Sequence, residues 1–148
     1  MPLQNPVLKR LRQEIKLNGN PIREIAVVDY GTPFSGLELP TGYQQEPNQA
    51  CFWNAACLAL EDCGTYVEGF ALDPRGMSVL VHHAWITLDG VHAIDPTWPD
   101  APACAYYGIP FPTKVVARLA ARKNGRISPV LDWTRPDLLA EIRSFVGK

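Results

Sequence analysis

Asn48-Gln49-Ala50-Cys51-Phe52-Trp53-Asn54-Ala55-Ala56-Cys57-Leu58-Ala59-Leu60 carries apolar side chains around nearly the whole circumference of a helix, the mark of a central, buried one. Gly64 stops it. Asn48 is a good N-cap, which predicts Gln49, Ala50 and Cys51 as the first three helical residues. Cys51 then stands among unpaired backbone N–H groups at the positive end of the helix dipole, where a thiolate is stabilised. Cys57 and Cys63 lie one or more turns further on, where that effect has faded, and read as small apolar side chains.

On the C-terminal side of this helix the apolar period changes. Thr65–Leu72 and 79–88 read as strands separated by the turn Asp73-Pro74-Arg75-Gly76, and Asp89-Gly90 turns the chain into a third strand over 91–95. A proline-rich stretch, 96–112, leads to two predicted helices, 113–123, closed by Asn124-Gly125, and 136–146, begun by Thr134 or Arg135. On the N-terminal side, Val7, Leu8, Leu11 and Ile15 at helical spacing predict an amphipathic helix over Pro6–Leu17, ended by Asn18-Gly19-Asn20-Pro21. Ile22–Tyr30, centred on Ile25-Ala26-Val27-Val28, reads as a short strand, followed by a Gly/Pro-rich loop over 31–47. Helix, then a meander of strands, then helices is an α+β order.

The chain has 148 residues, 47% hydrophobic and 20% charged, which fits a single domain over residues 1–148. A chain this long hides about 70% of its unfolded surface and needs neither metal nor disulfides to hold it. Fourteen Lys and Arg against fifteen Asp and Glu give a net charge of −1, so no long-range field draws in nucleic acid or an anionic membrane. Charged residues begin at Lys9 and Arg10, so the N-terminus does not read as a signal peptide, and no apolar run approaches a membrane span. A cytoplasmic protein is expected. There Cys51, Cys57, Cys63 and Cys104 are thiols, and their separations match no paired Cys-x-x-Cys zinc pattern.

Two further features point at chemistry. His82-His83-Ala84-Trp85 sits in the middle of a strand otherwise rich in Val, Leu and Ile, where an imidazole must find a partner. Serving as base to a thiol would supply one, and a backbone partner in the core is the alternative. Asp95 ends the next strand, where it either orients an imidazole or makes an Asx turn before Pro96. A two-residue turn at Asp89-Gly90 would pair residue 88 with 91 and put Asp95 on the face of His82 and Ala84. A type I turn with Gly90 left-handed would pair 87 with 91 and put His83 opposite Asp95. A catalytic role requires the second.

His83-Ala84-Trp85 and, after a short hairpin, Asp95-Pro96-Thr97 resemble the His-Ala-Trp and Asp-Pro-Thr signatures of the transglutaminase-like branch of the papain-like cysteine enzymes. The order Cys, His, Asp matches that superfamily as well. Cys51-Phe52-Trp53-Asn54-Ala55 is similar to the nucleophile helices of papain and of ovarian-tumour-type deubiquitinases. The resemblance covers residues 44–98, about a third of the chain. It implies a nucleophile helix packed on a small antiparallel sheet, with further helices at both ends. It also implies a Cys51 thiolate that attacks an amide, isopeptide or ester carbonyl, His83 as proton shuttle and Asp95 as its orienting group. Gln45, six residues before Cys51, would join the Cys51 N–H in the oxyanion hole, with Gln44 as a near alternative. Water as second substrate gives hydrolysis, and an amine gives acyl transfer. The implied partner is a protein, a peptide or a small amide or ester, with no cofactor and no metal. A catalytically silent binding or regulatory protein on the same fold is the alternative.

Other signals read as structural. His82, His83 and His92 do not form a zinc set, because adjacent strand residues face opposite ways. Arg118, Arg122, Lys123 and Arg126 complement a helix C-terminus. Tyr106-Tyr107-Gly108-Ile109-Pro110-Phe111 reads as a cover over an open barrel end, and Trp53, Trp85, Trp98 and Trp133 read as core.

Overall fold

The computed structural model describes residues 5–19, 21–47, 50–73, 75, 79–122, 129–131 and 137–146. Strands β1 (Thr32–Leu37), β2 (Thr65–Leu72), β3 (Leu80–Thr87), β4 (His92–Ile94) and β5 (Ala105–Phe111) close into a barrel in the order β1-β4-β3-β2-β5. Around it lie α1 (Pro6–Leu17), α2 (Ile22–Tyr30), α3 (Cys51–Leu60), α4 (Thr113–Arg122) and α5 (Leu138–Val146). The class is α+β. No helix among the described residues is long and apolar enough to cross a membrane.

Strand alternation sorts the side chains into two cores. Phe34, Val67, Ala71, Trp85, Ala93 and Tyr106 fill the barrel. The opposite faces of the same strands, with Tyr66, Phe70, Ala84, Ile86 and Ile109, pack under the helices against Ala55, Ala56 and Ala59 of α3 and Val7 and Leu11 of α1. The small residues of α3 let that helix lie close across β2 and β3. Asn5 caps α1 by accepting from the Val7 and Leu8 N–H groups, and its amide donates to the Tyr106 carbonyl, tying the helix to β5.

Five expectations are corrected. Ile22–Tyr30 is a helix, α2, not a strand. Its β-branched run favours a strand locally, but Ala26 and Val27 are buried among helices and barrel, and packing overrides propensity. The predicted loop over 31–47 contains β1, which pairs parallel with β4 and antiparallel with β5. The sheet is therefore small, as expected, but closed and mixed rather than purely antiparallel. Pro33 and Gly36 disguise β1 as a loop, although Gly36 is required there: a Cβ would lie 1.9 Å from the Ala101 carbonyl oxygen. The stretch from Tyr106 to Phe111 is not a cover but most of β5, which pairs with both β1 and β2. It comes so close to β2 that a Cβ on Gly69 would lie 2.2 Å from the Tyr107 carbonyl oxygen. Finally, Trp53 is 48% exposed rather than core. Helix α1, strands β2 and β3, and the start of α4 fall where they are predicted. Pro74 and Gly76 of the predicted turn, the Asn124-Gly125 stop, Lys123, Arg126, Trp133 and the Thr134 or Arg135 helix start lie outside the described residues.

Candidate functional site

Helix α3 starts at Cys51, with Ala50 at the N-cap and no side chain bonded there. Cys51 is thus the first helical residue and not the third; Asn48 and Gln49 lie outside the described residues. The first helical bond is from the Asn54 N–H to the Ala50 carbonyl. The N–H groups of Cys51, Phe52 and Trp53 precede it and are the ones a helix start presents to a ligand or an anion.

His83 brings two groups together. Its Nε2 lies 2.8 Å from Asp95 Oδ2, and the Cys51 side chain is near enough to raise the basicity of the ring. With Nε2 committed to Asp95, Nδ1 is the nitrogen left for the thiol. His83 and Asp95 are each 1% exposed, and Cys51 9%. Burial pushes the imidazole down, but the hydrogen bonds and charges of Asp95 and Cys51 outweigh it and lift His83 to about 9. At neutral pH His83 is therefore an imidazolium.

The hairpin that makes this possible matches neither predicted register. Ile86 pairs with Ile94, so the loop is longer than the Gly90 bulge requires. Asp89 sets it, because Oδ1 accepts from the Val91 and His92 N–H groups while Gly90 takes φ 78°. The parity is nevertheless that of the bulge: His83, Trp85, Ala93 and Asp95 share the barrel-facing side, and His83 meets Asp95 on a diagonal.

Asp95 is saturated. Oδ1 accepts from the Thr97 and Trp98 N–H groups at 2.9 and 3.1 Å, and Oδ2 accepts from the Tyr106 hydroxyl at 2.8 Å in addition to His83. The Asx turn and the histidine partner, read from sequence as alternatives, coexist on the two oxygens of one carboxylate. Trp98 closes the far side of the imidazole, with ring centroids 4.3 Å apart at 30°. It is half-buried rather than core.

Asn54, one turn after Cys51, joins three parts of the site. Its amide donates to the Pro47 carbonyl at 3.0 Å and to the Thr97 hydroxyl at 2.9 Å. Gln45 is exposed, and its Nε2 donates to the Pro96 carbonyl at 2.7 Å, which pins the 45–47 segment beside the Asp95 turn. An amide has two N–H groups, and this bond uses one. Gln44 is exposed in the same segment.

The other histidine of the pair has a carboxylate of its own. Glu68 is fully buried, and its Oε1 accepts from Tyr66 OH and Val130 N–H, while Oε2 accepts from Leu131 N–H and lies 2.8 Å from His82 Nε2. Arg23 of α2 lies 2.9 Å from His82 Nδ1. A guanidinium only donates, so Nδ1 is the acceptor and His82 is the neutral, Nε2-protonated tautomer. No thiol completes this second cluster, which joins β2, β3, α2 and residues 130–131.

Glu68, Tyr106, Trp98 and Asn54 are the site's neighbours that sequence reasoning missed. Glu68 had a signal, a lone carboxylate inside Tyr66-Val67-Glu68-Gly69-Phe70-Ala71-Leu72. Tyr106 had none, because its partner is eleven residues away across the barrel. No family model, no curated protein and no solved structure matches the chain.

Proposed function

We propose that the chain is a cytoplasmic thiol enzyme of papain-like or transglutaminase-like type that forms an acyl-enzyme on Cys51. One observation carries this: a buried imidazole hydrogen-bonded to a buried carboxylate, with the cysteine at the first residue of a helix near enough to act on its charge. In the resting pair the proton already sits on His83, and the Cys51 thiolate attacks the substrate carbonyl. The oxyanion is met by the Cys51 N–H and the second N–H of the Gln45 amide. Collapse expels an amine or alcohol that takes its proton from the His83 imidazolium and leaves a thioester. Water or an amine then attacks, giving its proton back to His83, and the resting pair is restored. Asp95 holds the ring in one orientation and stabilises its charged form.

Trp98, whose ring stacks on His83, also lines a cavity of about 230 Å³ with Asp73, Pro99, Asp100 and Cys104, which offers room for a small acyl or leaving group. Four free cysteines accord with a reducing compartment. Turnover of a panel of peptide amides, isopeptides and simple esters tests the proposal. The native chain is expected to turn over at least one class, and Cys51→Ala none. Turnover that persists in Cys51→Ala would overturn it, and a panel without turnover, joined to a ligand that Cys51→Ala still binds, would make the chain a silent binding protein.

A further inference from the structure

Asp95 Oδ2 is shared. It accepts from the Tyr106 hydroxyl and holds His83 Nε2, both at 2.8 Å, while Oδ1 is filled by the two turn N–H groups. A carboxylate oxygen bonded to a neutral donor keeps less charge for a cationic one on the same atom. Tyr106 is well placed for this. It is fully buried, its ring is fixed by an edge contact to Trp85 at 4.9 Å, and its carbonyl is bonded to Asn5. Burial and the neighbouring Asp95 hold the phenol proton far above the usual tyrosine range, so the hydroxyl donates at every working pH. The titratable groups that bear on His83 are Cys51 from α3 and Asp95 from the turn after β4. Tyr106 from β5 acts on that carboxylate, and is itself within the field of Asp73 and Cys104.

We propose that Tyr106 is a positioning residue that lowers the basicity of His83 by drawing charge from the shared oxygen of Asp95. The inference rests on the acyl-enzyme reading above and adds to it a reason why His83 gives up its proton. An imidazolium held by an unshared buried carboxylate is a poor acid, and a general acid works best with its titration near the working pH. Tyr106 moves His83 in that direction without entering the space of the substrate.

The test is an NMR titration of imidazole-labelled full-length chain, with the His83 signal identified by its loss in His83→Gln. In Tyr106→Phe, which keeps the ring and its contact with Trp85, the His83 midpoint is expected to rise by about 0.5–1 pH unit. In an Asp95→Asn background the same substitution is expected to move it by less than about 0.2 pH unit, since the path runs through the carboxylate. Replacing Tyr106 with 3-fluorotyrosine, a stronger donor of nearly the same shape, is expected to lower the midpoint, and stands as the test if Tyr106→Phe fails to fold. An unchanged or lowered midpoint in Tyr106→Phe, an equal rise with Asp95→Asn, or a rise with fluorotyrosine would overturn the proposal. Alkylation of Cys51 relative to the other cysteines, measured on the same samples, separates the two ideas. A Cys51 no more reactive than its neighbours sinks the acyl-enzyme reading, whereas a selectively reactive Cys51 with an unmoved His83 sinks only the role of Tyr106.

Discussion

Replacing His83 with alanine is expected to slow alkylation of Cys51 at pH 6 by about 100-fold. A thiol without a cationic partner has a pKa near ~8.5 and is only about 0.3% thiolate at pH 6. In the native chain burial is outweighed by Asp95 and Cys51, which lift His83 to about 9, so at pH 6 it is charged. On the proposed reading a charged imidazole beside a cysteine at a helix start makes its sulfur more reactive at this pH. Iodoacetamide labelling, read peptide by peptide, measures this with internal controls. Cys57 and Cys104 take no part in the proposed proton transfer, and burial raises both thiols, Cys104 to about 11, so neither is expected to change with His83. A Cys51 rate that falls less than about 3-fold would mean that the imidazole does not activate the thiol.

Glu68→Ala is expected to be the most damaging single substitution for stability, at about 3–5 kcal/mol. Four donors converge on this fully buried carboxylate: two backbone N–H groups, a tyrosine hydroxyl and His82. Without it they remain buried and unpaired. The loss also removes the side-chain hydrogen bonds that hold residues 130–131 to β2. For a chain of 148 residues the melting temperature should fall by about 10 °C or more. Glu68→Gln, which keeps one acceptor oxygen, should cost less. A loss below about 1 kcal/mol for alanine would mean that water replaces the carboxylate readily. Burial in the structure argues against that.

Residues whose partners are close in sequence, or whose pattern is periodic, were legible before the fold was known. Val7, Leu8, Leu11 and Ile15 carry a helix in their spacing, and so does the small, apolar run of α3. Cys51, His83 and Asp95 were legible because a thiol in the first turn, an imidazole in an apolar strand and a carboxylate before proline each break a local pattern. The structure brings those three together. What was not legible depends on contacts made across the barrel. Ile25-Ala26-Val27-Val28 looks like a strand until α1 and the barrel surround it. Thr32–Leu37 looks like a loop because Pro33 and Gly36 suit turns, and only closure of the sheet by β4 and β5 makes it a strand. The hairpin register depended on one side chain, Asp89, whose caps on Val91 and His92 lengthen the loop beyond either of the turns considered. Tyr106 lies in β5, whose Gly108 and Pro110 obscure its period of two, and Trp98 lies in the turn after β4, which has no period to read.

The most direct measurement is the capture of an acyl-enzyme. Native protein is mixed with an activated ester or thioester, quenched in acid within the first turnovers, and its peptides are weighed for a bound acyl group. One acyl group on the peptide that contains Cys51, formed at near-neutral pH and strongly reduced in His83→Ala, is the predicted result. Acylation spread equally over Cys51, Cys57, Cys63 and Cys104, or absent from Cys51 while native folding is intact, would contradict it.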